Sequence, residues 1–112
     1  MTRISNNVKL IGFLGNDPEL KSFESGRKMT TLSIATTDTF TNQNGEKVQD
    51  TQWHTLVFWG KLADIAGQYL KKGSQIAVDG KLVHRSYETS TGEKRYVTEI
   101  SVTEMMMIGG KR

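Results

Sequence analysis

The sequence contains no cysteine, a single proline (Pro18) and only two histidines among its 112 residues. Without cysteine the chain can form neither disulfides nor thiolate metal sites, and it has no cysteine nucleophile. No apolar run approaches the roughly 18 residues that a membrane span needs. The N-terminal residues also lack the apolar segment of a secretory signal. We therefore expect one small domain with no membrane association.

Residues that could carry catalysis are equally scarce. His54 and His84 lie on different predicted strands, and no third ligand is spaced to complete a metal site with them. The sequence has no glycine-rich phosphate loop, no nucleophile elbow and no pair of carboxylates on a shared strand face. The favoured interpretation of each histidine is a hydrogen-bonded or interface residue. We expect a protein that is not an enzyme and that uses no cofactor and no metal.

Charge of either sign is modest, with 15 basic and 12 acidic residues giving a net charge of +3. Residues 1–60 are balanced, with six of each sign, so the whole surplus lies in residues 61–112. A basic surface for a polyanionic partner is only weakly favoured by this distribution.

The apolar pattern is mainly that of β-strands. Thirteen threonines and alternating apolar residues favour a pleated sheet. Asn44-Gly45 predicts a turn within a hairpin loop over residues 41–50, and Ser90-Thr91-Gly92-Glu93 predicts a second hairpin tip. Gly80 predicts a bulge or bend. Long strands are predicted over residues 8–14, 29–37, 51–59, 75–87 and 95–108, with a short strand over 19–23.

One helix interrupts the strands. Leu62, Ile65, Ala66, Tyr69 and Leu70 recur at helical spacing and form a single stripe. The pattern places Lys71 and Lys72 in the last helical turn and Gly73 as the stop. Three strands, one helix and two strands predict an all-β, five-stranded OB-fold Greek-key barrel with the helix between strands 3 and 4. We expect this domain over residues 1–108 and a short flexible tail over 109–112.

Aromatic side chains give the functional signal. Trp53, Thr55, Val57 and Trp59 share one face of a strand, so both tryptophans point outward if Leu56 and Phe58 face the core. Exposed indoles stack on unpaired bases of any sequence, each stack contributing roughly 1–3 kcal/mol. The alternative is that the tryptophans pack under the hairpin loops or in a protein interface. The remaining candidates are aromatic or basic residues near the predicted loops and strand ends: Phe40, Tyr87, Arg3, Lys61, Lys72, Arg85 and Arg95.

From about residue 3 to residue 110 the sequence closely resembles the bacterial-type single-stranded DNA-binding proteins. The matching segments are Asn7-Val8-Lys9-Leu10-Ile11-Gly12, Leu14-Gly15-Asn16-Asp17-Pro18-Glu19, Ser33-Ile34-Ala35-Thr36, Gln52-Trp53-His54, Trp59-Gly60-Lys61-Leu62-Ala63, Tyr69-Leu70-Lys71-Lys72-Gly73-Ser74-Gln75, Gly80-Lys81-Leu82 and Arg95-Tyr96.

The resemblance implies a homotetramer, built as a dimer of dimers, that wraps single-stranded DNA in replication, recombination and repair in the bacterial cytoplasm, associated with the nucleoid. It places the stacking aromatics at Phe40, Trp53, Trp59 and Tyr87. Phe40 and Tyr87 stand where the family has tryptophan, and Trp59 stands where it has phenylalanine. The expected oligomer contacts are Asn7, Val8, Lys9, Leu10, Ile11 and His54.

Two departures from the family pattern affect these expectations. Five positions where the family leads us to expect Arg or Lys are neutral, which predicts fewer phosphate contacts: Thr41, Gln43, Thr55, Val83 and Ser86. The family usually continues into a glycine-rich linker and an acidic tip, whereas this sequence stops at Gly109-Gly110-Lys111-Arg112. The resemblance therefore gives no support for recruitment of replication and repair proteins.

Two alternative functions stay open at this point. A primosome-type or RNA-binding OB protein would share the aromatic pattern, and only its preference between DNA and RNA would distinguish it. An assembly module would instead bury the aromatics in a protein partner.

Overall fold

The computed structural model describes residues 4–108 and consists of six strands and one α-helix around a single core. A short 3-10 helix (Ile4–Asn6) precedes the sheet. The all-β prediction with one helix is confirmed, and the short strand predicted near residue 19 is present as β2. In chain order the elements are β1 (Val8–Leu14), β2 (Glu19–Ser22), β3 (Lys28–Thr41), β4 (Lys47–Trp59), α1 (Lys61–Tyr69), β5 (Gln75–Glu88) and β6 (Lys94–Ile108).

The five long strands close into a barrel. The strands are ordered β1-β5-β6-β4-β3, with β2 added at the outer side of β3, and β1 returns to pair with β3. The closing contact is short, joining Phe13 to Ala35 and Leu14 to Ile34. Strand β4 meets β6 in parallel, whereas the other pairs are antiparallel. The ladder between β5 and β6 shifts register between Asp79 and Gly80, which is the predicted bulge.

Alternation along the strands supplies the core. Leu56 and Phe58 of β4 are fully buried, together with Leu32 and Ile34 of the paired strand β3. On β1, Leu14 is buried while Ile11 and Phe13 on the other face are exposed. The tryptophans are therefore on the outside of the barrel.

Helix α1 packs against β3, β4 and β2 through small residues. Ala63 and Ala66 are buried, and the buried Thr30 hydroxyl donates to the Ala63 carbonyl over 2.7 Å. Tyr69, although on the predicted apolar stripe, is 59% exposed. Within residues 4–108 no helix is long and apolar enough to cross a membrane.

The predicted end of this helix is wrong. Its last residue is Tyr69, and the following Leu70 is extended, so Lys71 and Lys72 lie beyond the final turn. Gly73 has a positive φ of 93°, but it serves the connection to β5, where its N–H donates to the Leu14 carbonyl. The helix ends before Leu70 because this residue is extended and its side chain is buried in the core.

The first hairpin loop is shorter than predicted. Strands β3 and β4 stay paired out to Thr41 and Lys47, so only residues 42–46 form the turn, in place of the expected 41–50. The Asn42 side-chain oxygen accepts from the N–H groups of Asn44 and Glu46, and Gly45 adopts a positive φ. Backbone hydrogen bonds between β3 and β4 continue to Thr41 and Lys47, although the side chains there show no alternating apolar pattern. The two strands therefore extend beyond the barrel as a two-stranded arm.

Candidate nucleic-acid interface

An open groove of about 540 Å³ crosses the outer face of the sheet, and we call it the outer groove. Its floor includes Val57 of β4, and one of its walls is Trp59. Four of its side chains carry charge, two of each sign, so the lining is electrically balanced. The residues that line it are Glu19, Lys21, Met29, Thr31, Val57, Trp59, Val83, Arg85, Glu99 and Ser101.

Trp53 is the most exposed of the aromatics predicted to bind bases, at 62%. It pairs with Ala35 on β3, and its indole lies over Gly15 in the turn after β1. A Cβ at residue 15 would come within 2.8 Å of the indole Cη2, so only glycine leaves room for this orientation. The indole is thus supported by backbone on one side while most of its surface remains open to a base.

Trp59 is less open, at 37% exposed, because two side chains from the turn between β2 and β3 contact it. The Phe23 ring is stacked with its indole, with centroids 6.1 Å apart and planes at 27°. The Arg27 guanidinium carbon lies 4.3 Å from the indole centroid, in a cation–π contact. Trp59 therefore belongs to a cluster of three residues, which we call the Trp59 cluster.

Phe40 and Tyr87 lie on the two hairpins and are both about half exposed. Strand alternation puts Tyr87 on the same face of β5 as Arg85, which lines the outer groove. Phe40 falls on the face of the β3–β4 arm opposite Trp53. The structure therefore brings Tyr87 toward the groove side and leaves Phe40 apart on its arm.

Two of the predicted phosphate ligands are already paired with carboxylates. Arg85 donates from Nε and Nη2 to the two oxygens of Glu99 over 3.0 and 2.9 Å. The hydrogen bonds and charge of Glu99 raise the pKa of Arg85 above its usual value. Arg95 makes a more exposed pair with Glu93 at 3.0 Å. Pairing with carboxylates reduces the net positive potential that these two arginines offer to phosphate.

Lys61 and Lys72 are exposed and form no ion pair within the described part of the chain. Lys61 begins α1, two residues after Trp59. Lys72 is positioned by its backbone N–H, which donates to the Asp17 carboxylate over 2.8 Å. Arg3 lies outside the described residues.

The residues predicted to form oligomer contacts lie on both faces of the sheet. Val8 and Leu10 pack against the core, whereas Ile11 on the outer face is 58% exposed. Asn7 and Lys9 both bond to Asp79 within the chain. His54, on the inner face, is half-buried and its Nε2 lies 3.0 Å from the Thr36 hydroxyl.

Sequence reasoning missed several exposed apolar residues. Met105 packs against the core, but Met106 and Met107, which follow it on β6, are exposed. Register places Met106 beside Ala77, which in turn pairs with Ile11, so an apolar row crosses β6, β5 and β1. Phe23 and Arg27 were also missed. Their only sequence signal is an aromatic and a cation flanking a Ser25-Gly26 turn.

Comparison with known proteins agrees with this geometry. The model of the single-strand binding protein family matches residues 5–108. Among curated relatives, single-stranded DNA-binding protein 1 of Chlorobaculum tepidum is 47% identical over 112 residues, covering 99% of this chain and 69% of that protein. The single-stranded DNA-binding protein of Xylella fastidiosa (strain Temecula1) is 44% identical over 111 residues, covering 99% and 68%.

A solved structure, Plasmodium falciparum SSB in complex with ssDNA, aligns with a TM-score of 0.84 at 30% identity. The alignment covers 93% of this chain and 95% of that one. The family match extends over nearly every described residue. The OB barrel is common to this chain and to the aligned Plasmodium falciparum structure. This chain therefore belongs to the single-strand binding protein family.

Proposed function

We propose that this protein binds single-stranded DNA without sequence preference and protects it during replication, recombination and repair. It acts as a non-catalytic binder in the bacterial cytoplasm, associated with the nucleoid. Stacking aromatics are Trp53, Trp59, Phe40 and Tyr87. Phosphate contacts come from Lys61, Lys72, Arg85 and Arg95, with Arg3 as a further candidate.

The observation that carries this proposal is the outward position of both tryptophans on one strand of an OB barrel. The Trp53 indole, held against Gly15, offers a flat and largely exposed surface, and every base has a π-face that can stack on it. A reader of duplex DNA would instead need an element that enters the major groove. The nine-residue helix α1 packs its small residues into the barrel and offers no such basic face.

The test is a titration of intrinsic tryptophan fluorescence with oligothymidine at two salt concentrations. Strong quenching is expected, because stacked bases quench an indole directly. An RNA oligomer of the same length, run in parallel, tests the RNA-binding alternative. Unchanged fluorescence with either strand would contradict the proposal and favour the assembly module.

Adding a cation between the tryptophans should strengthen the electrostatic part of binding. Thr55 lies between Trp53 and Trp59 on the outer face, pairing with Ser33. We expect Thr55→Arg to steepen the slope of log affinity against log salt by about 0.7, the value for one added phosphate contact on a single strand. Thr55→Gln is the neutral control and should leave the slope unchanged. An unchanged slope in Thr55→Arg would mean that the strand does not follow β4.

We further propose that the protein assembles as a homotetramer through β1 and the adjoining sheet face. Among the described residues, β1 pairs with β3 only at Phe13 and Leu14, so one edge of Val8 to Gly12 has no strand partner. Such an edge pairs readily with a second copy across a two-fold axis. The apolar row of Ile11 and Met106 then provides a face for packing two dimers.

A charge in this row should break the assembly. We expect light scattering of the wild type to give about four times the 12.6 kDa chain mass, and Ile11→Glu to give a smaller species, since an unpaired carboxylate is costly to bury. Tyr69→Glu is the matched control, because Tyr69 is 59% exposed against 58% for Ile11 but lies on α1. If both variants remain tetrameric, the sheet face that carries Ile11 and Met106 is not part of the interface.

A further inference from the structure

The turn between β2 and β3 carries an aromatic ring and a cation that the proposed function has not used. The Phe23 N–H donates to the Arg27 carbonyl, and Gly26, with a φ of 90°, makes the reverse turn possible. This geometry brings both side chains to Trp59 at once. A second cavity of about 360 Å³ shares Trp59 with the outer groove, and its other lining residues are Gly26, Arg27, Lys28, Gly60 and Asp64.

We propose that the Trp59 cluster is a nucleotide subsite that extends the DNA path beyond the outer groove, with Phe23 stacking on a base and Arg27 binding its phosphate. The proposal rests on single-stranded DNA binding by this protein. Because Trp59 lines both cavities, a strand lying in the outer groove reaches Arg27 directly after passing the indole.

The cation–π contact leaves Arg27 able to bind an anion. A guanidinium that lies over an indole uses its flat face, so the N–H donors around its rim stay free for phosphate oxygens. Within residues 4–108 Arg27 has no carboxylate partner, unlike its neighbour Lys28, whose ammonium lies 3.2 Å from Asp64. Arg27 is therefore a positioned cation whose charge is not locally neutralised.

Phe23 is better explained by binding than by packing. Its side chain is 43% exposed and is not part of the buried core. It stands in a turn of otherwise polar residues, and the ring contact that it makes there is with Trp59, outside the core. Together with Trp59 it offers two adjacent aromatic surfaces, an arrangement typical of proteins that bind successive bases.

The first experiment measures anisotropy of labelled oligothymidine with Phe23 variants. We expect Phe23→Ala and Phe23→Leu to weaken binding at least about fivefold, the lower limit for loss of one base stack. Phe23→Tyr keeps the ring and should retain affinity. On a strand of abasic sites, where no base can stack, Phe23→Ala should equal the wild type. A loss of melting temperature with unchanged affinity would assign Phe23 to packing and overturn the subsite.

The second experiment measures the salt slope of Arg27 variants. Arg27→Gln keeps a flat group over the indole but removes the charge, so the slope should fall by about 0.7. Arg27→Lys keeps the charge and should retain the slope. Unlike the Phe23 effect, this one should persist on abasic strands, because their phosphates remain. An unchanged slope in Arg27→Gln would exclude a phosphate contact at this residue.

Trp53→Ala separates failure of the subsite from failure of the proposed function. If Trp53→Ala weakens binding while the Phe23 and Arg27 variants match the wild type, the subsite is wrong and single-stranded DNA binding stands. If the wild type itself does not bind oligothymidine, both proposals fail.

Discussion

Replacing Trp53 by alanine is expected to weaken oligothymidine binding by about 1–3 kcal/mol, the cost of losing one base–aromatic stack. The indole is 62% exposed and lies on Gly15 outside the core, so its removal should leave the melting temperature nearly unchanged. No charge is lost, and the salt slope should therefore stay the same. Binding curves at several salt concentrations, beside thermal melts of the same protein, measure all three quantities.

Tyr69→Ala is the matched control for this prediction. Tyr69 is an aromatic of similar exposure, 59%, but it lies at the end of α1 and not on the outer face of β4 that carries Trp53. Its removal should leave affinity unchanged. A Trp53→Ala protein that melts early yet still binds normally would show that the indole supports the fold and does not contact DNA.

The second large effect is expected on stability, at Gly80. This glycine is buried in the β5–β6 bulge, and an added Cβ would lie 3.0 Å from both the Ser101 carbonyl carbon and the Val102 Cα. Backbone atoms cannot move aside as a side chain can, so Gly80→Ala should cost about 1–3 kcal/mol of unfolding free energy. At about 4 °C for each kcal/mol, the melting temperature should fall measurably at fixed protein concentration.

Gly67→Ala should change stability in the opposite direction. Gly67 is in the last turn of α1, where an added Cβ would make ordinary contacts of 3.6 Å to Leu20 Cβ and 3.7 Å to Thr30 Oγ1. Alanine is favoured over glycine inside a helix by about 0.8–1.0 kcal/mol. If both alanine variants shift the melting temperature alike, steric contact at the bulge does not explain the need for glycine at residue 80.

The alternating apolar residues were sufficient to predict most of the barrel. Burial of Leu56 and Phe58 forces Trp53 and Trp59 outward, because side chains of a strand alternate strictly between two faces. The helix was predicted for the same reason, from its 3.6-residue stripe. Its end was not, because the burial of Leu70 depends on tertiary packing and leaves no signal in the periodicity.

The sequence pattern could not predict which side chains pair across the sheet. Glu99 pairs with Arg85 only because the hairpin register places these residues, 14 positions apart in the chain, at diagonal positions of β5 and β6. Phe23 and Arg27 meet Trp59 through a turn whose direction is set by the β2–β3 pairing, 32 to 36 positions away in the chain. The electrically balanced outer groove and the Trp59 cluster are therefore findings of the structure.

The long β3–β4 arm has a consequence for motion. From Asp38 to Asp50 its ladder runs beyond the buried part of the barrel, with most side chains exposed. Segments that bury little apolar surface open locally at a lower free energy than the core. Amide protons of the arm should thus exchange with deuterium through local opening, while those of Leu56 and Phe58 exchange only on global unfolding. Phe40 therefore lies on the arm, which opens locally, whereas Trp53 and Trp59 lie on the part of β4 that belongs to the more stable barrel.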